Sequence, residues 1–196
     1  MPKNRLAYQI VPLHKLPVHR QLEAIRLQRQ AGPEEAENAV LLNEQAARLE
    51  SLIKKRRLSE LIGQYWFCAL DQKTRKPLGL AAVSHLDQLD EEDEHRLKQM
   101  LEHSGINPEK AALWGYLVVH KNARGRGIGP KLGDARKEFC LKEGFDHSVA
   151  VVDKTTAEAI RVFQKHQGRI IGEIDWHGTP AHVFVVDNRI RRQTQG

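Results

Sequence analysis

The spacing of hydrophobic positions changes period several times along this chain, and the changes predict a mixed α/β order. Ala7 to Leu13 reads as a strand. Leu16 to Gln30 carries Leu22, Ile25 and Arg29 at helical spacing and runs into Ala-Gly-Pro, a turn signal. A longer helix is expected from Pro33, with Glu34, Glu35 and Glu37 in its first turn and Lys54, Lys55, Arg56 and Arg57 toward its end, charges that complement the helix dipole. Beyond Gly63 the period shortens, and Tyr65–Leu70 and Leu78–His85 read as an antiparallel hairpin across a polar loop. An acidic stretch comes next, helical from His95 to His103 and stopped by Gly105 and Pro108. Strand Leu113–Val119 leads through a glycine-rich turn into helix Gly127–Lys142. Strand His147–Val152, helix Thr156–His166 and a last hairpin of Ile170–Trp176 and His182–Val186 complete the order. Neither a repeat nor a linker interrupts it. Residues 1–188 are therefore expected as one domain, with 189–196 a frayed tail.

At 196 residues and 40% hydrophobic, a chain of this size buries roughly 70% of its unfolded surface and needs no metal or disulfide to hold it. Cys68 falls in an expected strand and Cys140 on the apolar side of an expected helix, so both read as buried thiols in a reducing cytoplasm. The ten histidines lack ligand spacing, and no metal is expected. Met1 to Tyr8 has no apolar signal region, and no run approaches the ~20 apolar residues of a spanning helix, which makes this a soluble protein without a membrane partner. The net charge of +6 is uneven: residues 86–110 hold eight acids and three bases, a net −5, which leaves +11 on the rest. A basic body suits a polyanionic ligand, RNA included.

The densest chemistry lies at Arg124-Gly125-Arg126-Gly127-Ile128-Gly129, between a strand and a helix. Three glycines let backbone N–H groups close around an anion, the helix start adds its positive dipole end, and Lys121, Arg124, Arg126 and Lys131 supply charge. Neither the Gly-Lys-Ser/Thr ending of a P-loop nor the GxGxxG dinucleotide fingerprint with its later acidic residue is present. The run resembles instead the acyl-CoA pyrophosphate loop of the GNAT superfamily of N-acyltransferases, whose signature is Gln/Arg-x-x-Gly-x-Gly/Ala. The element order from Leu6 to about Asp187 is similar to the whole GNAT fold.

That resemblance implies a mixed, mostly antiparallel central sheet flanked by helices, with an acidic insert at 86–110. The parallel fourth and fifth strands, here Leu113–Val119 and His147–Val152, are expected to splay at their C-terminal ends around the pantetheine of acetyl-CoA. Backbone groups of Leu117 and Val119 would bond its amides, and amides from Arg124 through Gly129 its pyrophosphate. The implied reaction is acetyl transfer to a primary amine, on a small molecule or a protein, by direct attack in a ternary complex. A lysine-type amine has a pKa near 10.4, so fewer than about one molecule in a thousand is neutral at pH 7 and a proton must be removed. The leaving thiolate is a modest base, so protonating it helps but is not indispensable, and the oxyanion needs a donor such as a strand N–H.

Two departures from the family pattern bear on that chemistry. The family's Asn-x-x-Ala-x-x-Leu-Tyr stands here as Thr156-Ala157-Glu158-Ala159-Ile160-Arg161-Val162-Phe163, so the usual proton-donating Tyr is Phe163, while Thr156 can still cap its helix or donate to pantetheine. No carboxylate lies on Ala111–Val119, where several relatives place a catalytic Glu. Strand alternation puts Trp114, Tyr116 and Val118 on one face, which makes Tyr116 the first candidate for substrate chemistry, with His85, beside Asp87, the second. His120 is placed to meet phosphates, and His177 and His182 fall near the acceptor pocket of the fold. The insert, with Asp87, Asp90, Glu91, Glu92, Asp93 and Glu94, suits a cationic acceptor such as a polyamine, aminoglycoside or basic peptide. Two other readings stay open: a noncatalytic acyl-CoA-binding module, and an RNA-directed acetyltransferase acting on aminoacyl-tRNA, for which the basic Lys54–Arg57 cluster speaks. A homodimer through the 170–186 hairpin or the long second helix is also left open.

Overall fold

The computed structural model describes residues 7–31, 38–55 and 63–190. They form β1 (Tyr8–Pro12), α1 (Val18–Ala31), α2 (Asn38–Lys54), β2 (Gln64–Asp71), β3 (Pro77–Ser84), α3 (Glu91–His103), β4 (Ala111–Leu113), β5 (Leu117–Val119), α4 (Ile128–Lys142), β6 (His147–Asp153), α5 (Ala157–Lys165), β7 (Arg169–Trp176) and β8 (Thr179–Asp187). The expected start of the second helix at Pro33, with Glu34, Glu35 and Glu37, lies outside the described residues, as do Arg56, Arg57 and the tail beyond Ile190.

The strands follow a hydrogen-bonded order β1-β2-β3-β4-β6-β8-β7, with β5 beside β3. Their neighbours are antiparallel except for β4 and β6, which run parallel in the register Ala111 to His147 and Leu113 to Val149. This is the mixed, mostly antiparallel sheet with one parallel pair that the family resemblance implies. The chain divides into two compact units, one of residues up to Ala82 with Tyr116–Leu132, the other of Val83–Gly115 with Gly133 onward. β3 and α4 each contribute to both.

In the first unit, period-two alternation turns Trp66, Cys68 and Leu70 of β2, and Leu80 and Ala82 of β3, into one cluster with Ala24 and Ile25 of α1 and Ala46, Leu49 and Ile53 of α2. Tyr116 and Val118 pack against the same cluster. In the second unit, Leu97 and Leu101 of α3 are fully buried on Ala111, Val149, Val183 and Val185. Phe184, the alternate residue of β8, instead stacks on Phe163 of α5, their centroids 5.1 Å apart, and Phe163 in turn packs on Trp114.

Two expectations need correction. The strand expected over Leu113–Val119 is broken: β4 ends at Leu113, β5 starts at Leu117, and Tyr116 between them sits at φ +22°, where residues other than glycine are strained. The break also ends simple alternation, so Trp114 and Tyr116 do not share an environment. Trp114 meets Arg136, Phe163 and His166, whereas Tyr116 stacks on Trp66 at 5.3 Å. Helix α3, in addition, starts at Glu91 rather than His95. Asp90 is its N-cap and accepts from the Asp93 N–H at 2.9 Å, and the acids of the first turn suit the positive helix end.

Two glycines, one on α4 and one on β7, mark close approaches, and they separate rigid from yielding neighbours. A Cβ at Gly133 would lie 2.2 Å from Nε2 of the buried His166 ring, and one at Gly172 would lie 2.3 Å from the methyl end of Met100. Gly133→Ala is expected to cost about 1–3 kcal/mol in urea unfolding, more than the roughly 1 kcal/mol that alanine's helix propensity returns. Gly172→Ala, met by a flexible side chain, is expected to cost less than about 1 kcal/mol. Equal losses at both sites would contradict this packing.

Candidate functional site

Among the described residues, strand β5 pairs with β3 alone, in the register Gly79 to Val119, Leu80 to Val118 and Ala81 to Leu117. Ala82 N–H donates to Tyr116 O at 3.0 Å and His120 N–H to Leu78 O at 2.8 Å, so the Tyr116 carbonyl, the Val118 backbone groups and the His120 N–H face β3. Leu117 and Val119 turn theirs away. The Val119 carbonyl accepts from Arg124 Nε at 3.2 Å, while the Leu117 N–H and C=O and the Val119 N–H have no partner among the described residues. A strand edge with free donors and acceptors is where an extended amide-bearing chain can add itself.

The glycine loop continues this edge. Gly125 and Gly127 have φ of +73° and +79°, conformations open to glycine, and Arg124 through Gly127 are exposed while Ile128 and Gly129 are buried. The amides from Gly125 to Gly129 have no backbone partner among the described residues, and the first bond of α4 runs from Lys131 N–H to Gly127 O. No acid lies in the first turn of α4 to compete with an anion, and Lys121, Arg126 and Lys131 are exposed nearby in sequence. The loop is thus a cradle of amides at a helix N-terminus, the physical requirement for holding a phosphate. Tyr8 of β1, which sequence reasoning did not single out, brings its hydroxyl within 3.8 Å of where a Gly127 Cβ would be.

The other sequence candidates fall in varied settings. Burial pushes the Tyr116 phenol up to about 12, so it holds its proton at neutral pH and can donate but not act as a base. His85 caps the turn after β3 and meets Phe145 edge-on at 5.2 Å, next to the N-terminal end of β6, whereas Thr156 and α5 lie beyond the opposite end. Thr156 is the N-cap of α5 but makes no side-chain capping bond and is exposed. Phe163 is buried among Trp114 and Phe184. His120 accepts from Asn122 N–H through Nδ1 at 3.3 Å. His182 pairs with Glu173 at 3.3 Å.

The acidic insert and the last hairpin meet through His177, whose Nε2 lies 3.0 Å from Asp93 Oδ2. Burial, with the nearby Asp90 charge adding to it, raises the Asp93 carboxyl, while the Asp93 N–H holds Asp90 below the usual range. Asp90, Asp93 and His177 bring ligand atoms within 4.8 Å of one another. These hydrogen bonds account for the cluster as a helix cap tied to a turn.

Sequence reasoning also passed over Arg136, a residue 1% exposed whose guanidinium carbon lies 4.2 Å from the centroid of the Trp114 ring, with Nη1 donating to Gly115 O at 3.1 Å. Burial lowers its pKa to about 9, still well above neutral, so it remains a cation. Arg136-Lys137-Glu138 has the look of a solvated face, and only its period against Leu132 and Cys140 hints that it points inward.

A strand edge with unpaired amides running into an amide cradle has the chemistry to match an elongated, amide-bearing, anionic molecule. The model of the Acetyltransferase (GNAT) family matches residues 30–168, and the chain belongs to that family. Its fold is similar to a spermidine N-acetyltransferase chimera from Vibrio cholerae and hSSAT, with TM-score 0.63, 11% identity, and 92% of this chain and 95% of that one covered. It is likewise similar to an N-acetyltransferase from Thermoplasma acidophilum in complex with coenzyme A, with TM-score 0.63, 14% identity, and 92% and 99% covered. A ribosomal-protein-S5-alanine acetyltransferase from Vibrio fischeri gives TM-score 0.61 at 13% identity, with 93% of each chain covered. No curated protein matches the sequence. Among the described residues, no helix is long and apolar enough to cross a membrane.

The burial of Tyr116 carries a pH signature. A phenol whose folded pKa lies near 12 against an ordinary 10.0 favours folding fully below pH 10, and that contribution is lost as pH rises through 12. Unfolding free energy measured against pH is expected to fall across this window. In Tyr116→Phe the slope should flatten, and an unchanged slope would refute the assignment.

Proposed function

We propose that this protein is an acetyl-CoA-dependent N-acetyltransferase that transfers the acetyl group to a primary amine by direct attack in a ternary complex. The observation that carries the reading is the unpaired edge of β5 leading into the positive-φ glycine cradle at the head of α4. Acetyl-CoA fits those residues: the Leu117 N–H and C=O and the Val119 N–H match the amides of pantetheine, and the amides from Gly125 to Gly129, with the side chains of Arg124 and Arg126, match the pyrophosphate. The bound thioester supplies the acyl group. Tyr116, keeping its proton, is the candidate donor to the leaving sulfur, and His85, which lies by the N-terminal end of β6 and not by Thr156, is the candidate base through a chain of waters. Thr156 and Phe163 are assigned to the cofactor side through the family pattern. Two buried, unbridged thiols fit a cytoplasmic setting.

A second reading has its own observation. Phe163 occupies the family's proton-donor position and is buried in an aromatic cluster without any hydroxyl, which favours an acyl-CoA-binding module without turnover.

The test is free-thiol release from acetyl-CoA over a panel of polyamines, aminoglycosides, basic peptides, simple primary amines and aminoacyl-tRNA. Gly127→Glu serves as control, since it places a carboxylate in the cradle at φ +79°. Release that depends on one acceptor and drops at least about hundredfold in the control, the order expected when a bound phosphate loses its site, is the predicted result. Tight binding with no release on any amine supports the binding module. Absence of acetyl-CoA binding excludes both readings.

A further inference from the structure

Arg136 has the largest side chain among the fully buried residues, yet its Nε and Nη2 have no hydrogen-bond partner and no carboxylate pairs with it among the described residues. Burying a cation without a carboxylate is costly, so its one bond calls for a mechanical explanation. That bond goes to Gly115 O at 3.1 Å, in the segment where the strand breaks. The ladder to β6 ends with Trp114 N–H donating to Val149 O at 2.8 Å, which leaves the Gly115 carbonyl without a strand partner. The guanidinium takes that place.

The same peptide has a second end. No peptide in the described chain is cis, so the Tyr116 N–H points opposite to the Gly115 carbonyl. That N–H has no partner among the described residues. A cation bonded to a peptide oxygen withdraws electron density from it and strengthens the N–H as a donor. The φ of +22° at Tyr116 then reads as strain retained to aim that donor.

We propose that Arg136 is a positioning residue, holding the Gly115–Tyr116 peptide so that the Tyr116 N–H is presented to the acyl oxygen on which negative charge develops during transfer. This rests on the acyl-CoA reading above. Trp114 keeps the guanidinium plane in place by stacking, and a point-charged lysine cannot reproduce that planar contact.

The test compares binding of acetyl-CoA with S-ethyl-CoA, which has the same length but no carbonyl oxygen, by titration calorimetry on the wild type, Arg136→Met and Arg136→Lys. The wild type is expected to prefer acetyl-CoA by about three- to tenfold, the worth of one hydrogen bond. In Arg136→Met the preference should vanish while S-ethyl-CoA affinity stays within about twofold; if that variant does not fold, Arg136→Lys should show the preference reduced at least about twofold. A purely structural role predicts that both ligands weaken together, which would overturn the proposal, as would an unchanged preference in the folded variant. Equal binding of the two ligands by the wild type overturns it and leaves the acyl-CoA reading standing. Binding of neither overturns both.

Discussion

A strand paired along both edges has no main-chain groups left to offer a ligand, and inside this sheet, between β3 and β6, the pairing is interrupted over three residues, Trp114, Gly115 and Tyr116. Up to Trp114 the strand is bonded to Val149 of β6; from Leu117 onward it is bonded to β3 alone. The break forfeits ladder hydrogen bonds and holds Tyr116 at a strained φ. In return, alternate residues present free groups along one edge. Tyr116 is kept in place on one side by Trp66, and the Gly115 carbonyl by the buried Arg136.

Beyond the break the design is electrostatic. Glycines at φ +73° and +79° leave a run of amides unpaired at the start of α4, where the helix dipole already favours negative charge. Exposed arginines and lysines add long-range attraction, weaker and more sensitive to salt than the fixed amides. The acid–base side is less conventional. Phe163, buried at the family's usual donor position, has no proton to give, and burial keeps the Tyr116 phenol protonated at neutral pH, able to donate a hydrogen bond but a weaker acid than an exposed tyrosine. His85, resting against Phe145, has a ring environment set by packing on an aromatic neighbour.

Much of this was legible in the sequence because it depends on local signals. Glycine spacing after an apolar strand is a direct statement about backbone conformation, and the hairpins and amphipathic helices arise from period alone. The strand break was not legible: Leu113-Trp-Gly-Tyr-Leu-Val-Val119 is apolar and β-prone throughout, and nothing in the composition says where pairing partners change. Helix α3 began earlier than expected because a run of acids reads as solvated loop, although Asp90 followed by Asp93 is also a capping pattern at a helix N-terminus. Arg136 was hidden because burial of a charge is decided by tertiary structure, here by an aromatic face and an orphaned carbonyl. Where local rules failed, at the break, at Tyr116 and at Arg136, the residues are those next to the candidate chemistry.

The most direct test of the central claim is the backbone amide spectrum of the nitrogen-15-labelled protein titrated with acetyl-CoA. Saturable shifts at Leu117, Val119, Gly125 and Gly127, with His120 and Val118 much less affected, are what an added chain along the β5 edge and a phosphate in the cradle require. Saturable binding that leaves those amides unmoved and shifts others would contradict the account, because the free edge and the glycine cradle would then not be where the ligand is held.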